Sequence, residues 1–275
     1  MREKLSKSKN VIIIVVCILV IIGCIGYLVY DAHQTKLEWE EYERQKQEIL
    51  ASMSTPSPTP MPTPAPTPTP TPTPLLGMDR VDFGQLETEN PDIYAWIQIP
   101  DTEIDYPILQ SEEDNYYLMR NADGSVGYPG CIYTNKCNYK DFTDCNTVIY
   151  GHNMKNGSMF AGLHDFKEEA FFDENEVLYI QTREALHTYT IYGVVTFDDR
   201  YIPDAFSVRS ADGLMAFDSS IKSGKWGYSN FREDITLTKE DKVVTLSTCI
   251  ANEGSKRLLL VGMLTDTHSY EEQDG

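Results

Sequence analysis

The hydrophobic pattern divides the chain into a short apolar run, two polar stretches and a long region of broken, strand-like segments. Residues 11–30, VIIIVVCILVIIGCIGYLVY, carry no charge. Twenty residues at about 1.5 Å each make a helix of about 30 Å, the thickness of a bilayer core. This predicts a single transmembrane helix. Residues 31–54 include KLEWEEYERQKQEIL, which is rich in helix formers and predicts a juxtamembrane helical segment. Residues 55–74 alternate proline with Thr, Ser, Met or Ala, with a proline at every second position from Pro56 to Pro74. Proline lacks the amide donor and fixes φ, so this tract cannot build a helix or the centre of a sheet. An extended spacer of roughly 60 Å follows, at about 3.1 Å per residue.

Beyond residue 75 the apolar positions come in short runs rich in β-branched and aromatic residues. They predict strands over Ile93–Ile99, Tyr106–Gln110, Cys131–Thr134, Thr147–Tyr150, Val177–Thr182, Leu186–Phe197, Lys242–Thr248 and Arg257–Leu264. Turn signals such as Asp123-Gly124 and Pro129-Gly130 separate them. Helices are expected over Met78–Glu87, Asn115–Met119, Phe160–Phe166 and Asp212–Ser223. Many short strands with few helices predict a closed or nearly closed β-barrel. About 200 residues suffice for one packed core.

Charge sets the orientation and removes one class of partner. Residues 1–10 hold Arg2, Lys4, Lys7 and Lys9 against Glu3, whereas acids dominate after the apolar run. The positive-inside rule then makes residues 1–10 a cytoplasmic tail and places residues 75–275 outside the cell. A cleaved signal peptide fits less well, because the run is longer than a typical apolar core and lacks an A-x-A site. Ile21-Ile22-Gly23-Cys24 resembles a lipoprotein box, but the residues after Cys24 stay apolar. The net charge is −19, and residues 75–275 carry 16 bases against 35 acids. No basic footprint for nucleic acid exists.

Cys131, Cys137, Cys145 and Cys249 lie beyond the apolar run. An extracellular address permits a disulfide among the first three, with one cysteine left over. Their spacings, with His152, match no common zinc pattern, and neither a metal nor a cofactor is expected. Cys249 ends the apolar run KVVTLSTC, and Arg257 opens the next strand after a short polar loop. A guanidinium beside a thiol favours the reactive thiolate. His152 follows a strand on a Gly-containing turn, where an imidazole can exchange protons. His164 and His187 read as ordinary helix and strand residues. Glu253 could orient His152 or Arg257, but a solvated loop acid is the simpler reading.

Three phrases carry a family resemblance: DNYYLMRNADG, VIYGHNMKNGSMFAGLHDF and DKVVTLSTC with an arginine eight residues on. Together they resemble the sortases, class B most closely, over nearly all of residues 80–265. The resemblance implies a mainly β fold: an eight-stranded sortase-type barrel with N-terminal helices (matching residues 76–90) and a helix inserted between strands six and seven (matching 210–223). It implies a cysteine transpeptidase of the Gram-positive cell membrane that cleaves a Pro-x-Thr sorting motif of secreted surface proteins. The Thr carbonyl is then joined to an amine of the peptidoglycan precursor through a thioacyl-enzyme. By the matching motifs, Cys249 is the nucleophile, His152 the general acid and base, and Arg257 the oxyanion partner, while Ser247, Tyr201 and Ile202 contact the substrate. Tyr192, Phe197 and Phe206, near Tyr201, could equally be plain core. Pilin polymerisation, hydrolysis with water as acceptor, and a non-catalytic module on a stalk are the competing readings.

Overall fold

The computed structural model describes residues 17–27, 30, 33, 36, 40, 44 and 80–270. The chain divides into two compact units, residues 1–48 and 49–275. In the first, residues 17–27 are helical. Among the described residues no helix is long and apolar enough to cross a membrane. The expected span over 11–30 lies partly outside the described residues, the juxtamembrane segment over 31–54 largely so, and the spacer over 55–74 wholly so.

In the second unit the elements run α1 (Phe83–Glu89), β1 (Ile93–Gln98), β2 (Asp105–Leu109), β3 (Ile132–Thr134), β4 (Asn146–Tyr150), α2 (Glu169–Glu174), β5 (Val177–Thr182) and β6 (Ala185–Asp198). They continue with α3 (Ile202–Ala205), α4 (Ala211–Lys222), β7 (Ser229–Phe231), β8 (Val243–Cys249) and β9 (Lys256–Ser269). Single 3-10 segments cover Tyr116–Met119 and Ala161–Lys167. The sheet order is β5-β1-β2-β3-β4-β8-β9-β6, and β5 pairs with β6 to close an eight-stranded barrel. Closure removes the exposed strand edges that an open sheet would leave. The ninth strand, β7, adds three residues beside the C-terminal half of β6.

Eight strands lie where the apolar runs place them, within one or two residues, except that β9 runs on to Ser269. Two pairings decide the location of the site. β2–β3 and β4–β8 are parallel, and every other pairing is antiparallel. The inserted helix α4 lies between the sixth and seventh barrel strands, β6 and β8. Its first turn is capped by Ser210 Oγ, which accepts from Gly213 N at 3.0 Å. Leu214, Phe217 and Ile221 recur at helical spacing and pack into a cluster with Tyr192, Phe197 and Val208. Tyr192 and Phe197 are therefore core, with Phe206 partly buried against them. A second cluster joins Phe83 and Leu86 of α1 to Trp96, Leu109 and Tyr133.

His187 is buried in β6, beside the Phe142 ring and with Nδ1 3.1 Å from Thr267 Oγ1. Burial lowers its affinity for a proton below that of a free imidazole, and Lys242 adds to this. The unfolded chain therefore binds the proton more tightly than the folded one. Its stabilising contribution is full above the ordinary imidazole pKa of 6.5 and falls as pH drops below that value. We expect His187→Phe to flatten the decline of melting temperature between about pH 6.5 and 4.5. An unchanged slope would count against this assignment.

Candidate active site

The barrel topology explains how residues about a hundred positions apart meet. β4 and β8 run parallel with Tyr150 opposite Ser247, so both chains leave the barrel at the same end. Gly151-His152 emerges from β4 beside Thr248-Cys249 at the end of β8. β9 returns antiparallel, and its register sets Arg257 directly opposite Cys249. Thiol, imidazole and guanidinium thus share one barrel rim. Gly151 has a steric role here: a Cβ would fall 2.6 Å from Phe160 Cδ2 and collide with Ile132 Cδ1. Only glycine lets the chain turn that closely over the barrel end.

A cleft of about 200 Å³ opens on this rim. His152, Cys249 and Arg257 line it, together with Ser247, Tyr201 and Ile202. All six residues singled out in the sequence therefore lie on one cavity. Cys249 is exposed and carries a free thiol. His152 Nε2 lies 2.8 Å from the Leu118 carbonyl oxygen, which can only accept, so Nε2 carries the proton. In the neutral ring Nδ1 is then the free base. The ring also meets Tyr128 edge-on at 4.9 Å. Burial lowers the His152 pKa below the usual 6.5, and the Leu118 contact opposes that only in part. Arg257 Nη1 donates to the backbone oxygens of Gly254 (3.0 Å) and Lys256 (2.8 Å). Among the described residues no acid pairs with Arg257, which leaves its charge for a ligand.

Part of the cleft lining is aromatic and was only partly legible in the sequence. Tyr133 stacks on Tyr150 at 5.4 Å, and Tyr150 stacks on Tyr201 at 6.4 Å. Asn115 and Leu118 also line the cleft. A buried side chain, Asn135, ties these pieces together. Its Oδ1 accepts from Asn115 N at 2.8 Å, and its Nδ2 donates to Tyr201 OH at 3.0 Å. Tyr133 OH donates to Asn115 Oδ1 at 3.1 Å. Asn115 sits at φ 60°, a left-handed conformation that asparagine tolerates better than most residues.

Other candidates fall away from the chemistry. Glu253 pairs with Lys256 at 2.6 Å on the exposed loop, touching neither His152 nor Arg257. Cys131, Cys137 and Cys145 are free thiols, without a bridge. Cys131 is buried, and Cys137 Sγ sits 3.5 Å from Tyr201 OH at the edge of the cleft. Burial pushes the Cys137 thiol up. Among the described residues no group of three His, Cys, Asp or Glu side chains could hold a metal ion.

A sortase domain model matches residues 97–265. Sortase B of Listeria monocytogenes is 34% identical over 175 residues, which cover 63% of this chain and 69% of that protein. The barrel superposes on Clostridium perfringens sortase B with a TM-score of 0.59 and 27% identity, covering 66% of this chain and 99% of the other. It also superposes on sortase B from Bacillus anthracis in complex with AAEK1 (TM-score 0.57, 34% identity, 66% and 82% covered). Barrel, motif order and likeness agree: the chain belongs to the sortase family of cysteine transpeptidases, and within it to class B.

Proposed function

We propose that Cys249, His152 and Arg257 perform a two-step acyl transfer on a sorting-motif peptide of Pro-x-Thr type. The observation that carries this reading is the single cleft lined by all three. The Cys249 thiolate attacks the Thr carbonyl carbon, and the Thr C–N bond breaks as the S–C bond of a thioacyl-enzyme forms. His152, protonated in the attacking state, gives its proton to the departing amine. The incoming amine then attacks the thioester carbonyl and loses a proton to His152. A new amide forms and the thiolate is released. Arg257 faces the developing oxyanion, where a fixed cation in a partly desolvated cleft stabilises the transition state more than the ground state. Ser247, Tyr201 and Ile202 contact the peptide.

The acceptor is an amine of the cell wall precursor. The apolar run at residues 11–30 anchors the enzyme in the cell membrane with residues 75–275 outside, and the Thr-Pro tract holds the barrel away from the bilayer. The length and apolarity of that run and its basic flank support this placement. Incubation with a Pro-x-Thr peptide, with and without an amine nucleophile, tests the reaction. Amide product in the presence of amine supports transfer, whereas carboxylic acid regardless of amine contradicts it.

Asn135 supplies a prediction for substrate binding. Asn135→Ala leaves Asn115 N without its partner and Tyr201 OH with only the weak Cys137 thiol contact, and an unsatisfied group of this kind costs about 1–3 kcal/mol. The two sides of the cleft then lose their common support. KM for the peptide should rise roughly tenfold, with kcat changed little. A fall confined to kcat, at unaltered KM, would show that Asn135 serves the chemistry rather than the fit.

A further inference from the structure

Within β8, carbonyl oxygens on the β4 side alternate with those on the β9 side. Ser247 O still has a backbone partner there, Gly151 N at 3.2 Å. Two residues on, Cys249 O faces the same side, but β4 has ended at Tyr150. Two side chains take the place of the missing ladder. Asn153 Nδ2 donates to Cys249 O at 3.0 Å, and His164 Nε2 lies 3.1 Å from the same oxygen. Cys249 O can only accept, so with the proton on Nε2 His164 is its second donor, and the Asn153 amide nitrogen, itself only a donor, stands beside the ring rather than bonded to it.

Both side chains belong to the segment that presents His152. Phe160 N donates to His152 O at 2.9 Å, and Asn153 bridges Met159, so residues 152–160 form a tight hairpin. The next turn, Ala161–Lys167, carries His164 and is seated by buried Leu163 and Phe166. Asn153 Nδ2 and His164 Nε2 are themselves 3.1 Å apart, so the two groups converge on one atom. The histidine hairpin is thereby fastened to the backbone of the nucleophile. His164 is half-buried, which lowers its pKa and favours the neutral ring.

We propose that His164, together with Asn153, is a positioning residue that clamps the Cys249 carbonyl and so sets the separation between the Cys249 thiol and the His152 ring. The inference rests on the catalytic roles proposed above. It assigns work to a second histidine of the site, one that never touches the reacting atoms. A small displacement of a reacting group can cost on the order of a hundredfold in rate.

Three variants separate clamping from packing. His164→Phe keeps a planar ring and removes the donor. His164→Gln keeps an amide N–H at similar reach and removes the ring. Asn153→Asp keeps shape and turns a donor into an acceptor. For the full-length enzyme, kcat for peptide transfer should fall about tenfold to a hundredfold in His164→Phe and Asn153→Asp, with KM unchanged, while His164→Gln retains most of it. The rate of Cys249 alkylation by iodoacetamide, followed by mass spectrometry of the Cys249 peptide, should show the same order without any substrate. Full activity in His164→Phe with loss in His164→Gln would mean that the ring merely packs, and would overturn the clamp. Unchanged alkylation in both His164→Phe and Asn153→Asp would overturn it as well, even if either variant melted early. If the wild-type enzyme transfers no peptide, the reaction assignment fails, and the alkylation series still decides the clamp.

Discussion

Replacing Cys249 by alanine is expected to abolish both cleavage and transfer of a Pro-x-Thr peptide while leaving the barrel folded. The side chain stands at the exposed end of β8, so its removal leaves no cavity in the core. The chemical consequence is large because no other group in the cleft can form the acyl intermediate. Ser247 is two residues earlier and on the same face, but it is buried. Cys137, at the cleft edge, is a thiol that burial holds protonated. Without Cys249 the two-step route is lost and direct aminolysis of an amide must replace it. An assay of peptide cleavage beside a melting curve decides the point. Residual turnover near the wild-type rate in a folded variant would remove Cys249 from the mechanism.

The second large effect concerns Arg257. Register places it opposite Cys249, and its Nη1 is committed to the Gly254 and Lys256 carbonyls. That pair of bonds orients the guanidinium plane at the mouth of the β8–β9 loop. Arg257→Ala should lower kcat roughly 10²–10³-fold, the range for losing one oxyanion donor. Arg257→Lys should recover little, because an ammonium cannot hold two backbone carbonyls and a substrate oxygen in one plane. Full recovery by lysine would reduce the role to charge alone. The loss should sit in kcat more than in KM, since the interaction strengthens as charge develops.

How much of this was visible beforehand depends on the range of each interaction. The eight barrel strands were legible because β-branched and aromatic runs bounded by turn residues are local signals. β7, Ser229–Phe231, was not, because three residues with mixed polarity leave no pattern; it forms because β6 is long enough to offer a second partner. The expected helices over Asn115–Met119 and Phe160–Phe166 are 3-10 turns, too short for the periodicity to tell the two apart. The first described helix of the barrel unit begins at Phe83, where Asp82 Oδ1 accepts from Gln85 N, later than the apolar spacing alone suggested. Its cap, not its hydrophobic pattern, fixes the start.

The site divides in the same way. Cys249, His152 and Arg257 stood out as strand-end residues within specific phrases, and parallel pairing of β4 with β8 brings them to one rim. Asn135 and His164 carried no local mark. Asn135 matters because it reaches Tyr201 and Asn115 across 66 and 20 positions of chain. His164 read as an ordinary helix residue until Cys249 O, 85 positions away, supplied its partner. Hydrogen bonds of that range exist only once the barrel has closed.

The most direct measurement is to trap the acyl-enzyme. The protein is mixed with a Pro-x-Thr peptide in the absence of any amine, quenched in acid and digested, and the adduct is located by mass spectrometry. The account predicts a thioester between the Thr carbonyl and the Cys249 sulfur, discharged to an amide when an amine is added. An adduct on Cys137 or another residue, or peptide turnover in which no covalent species ever forms, would contradict it.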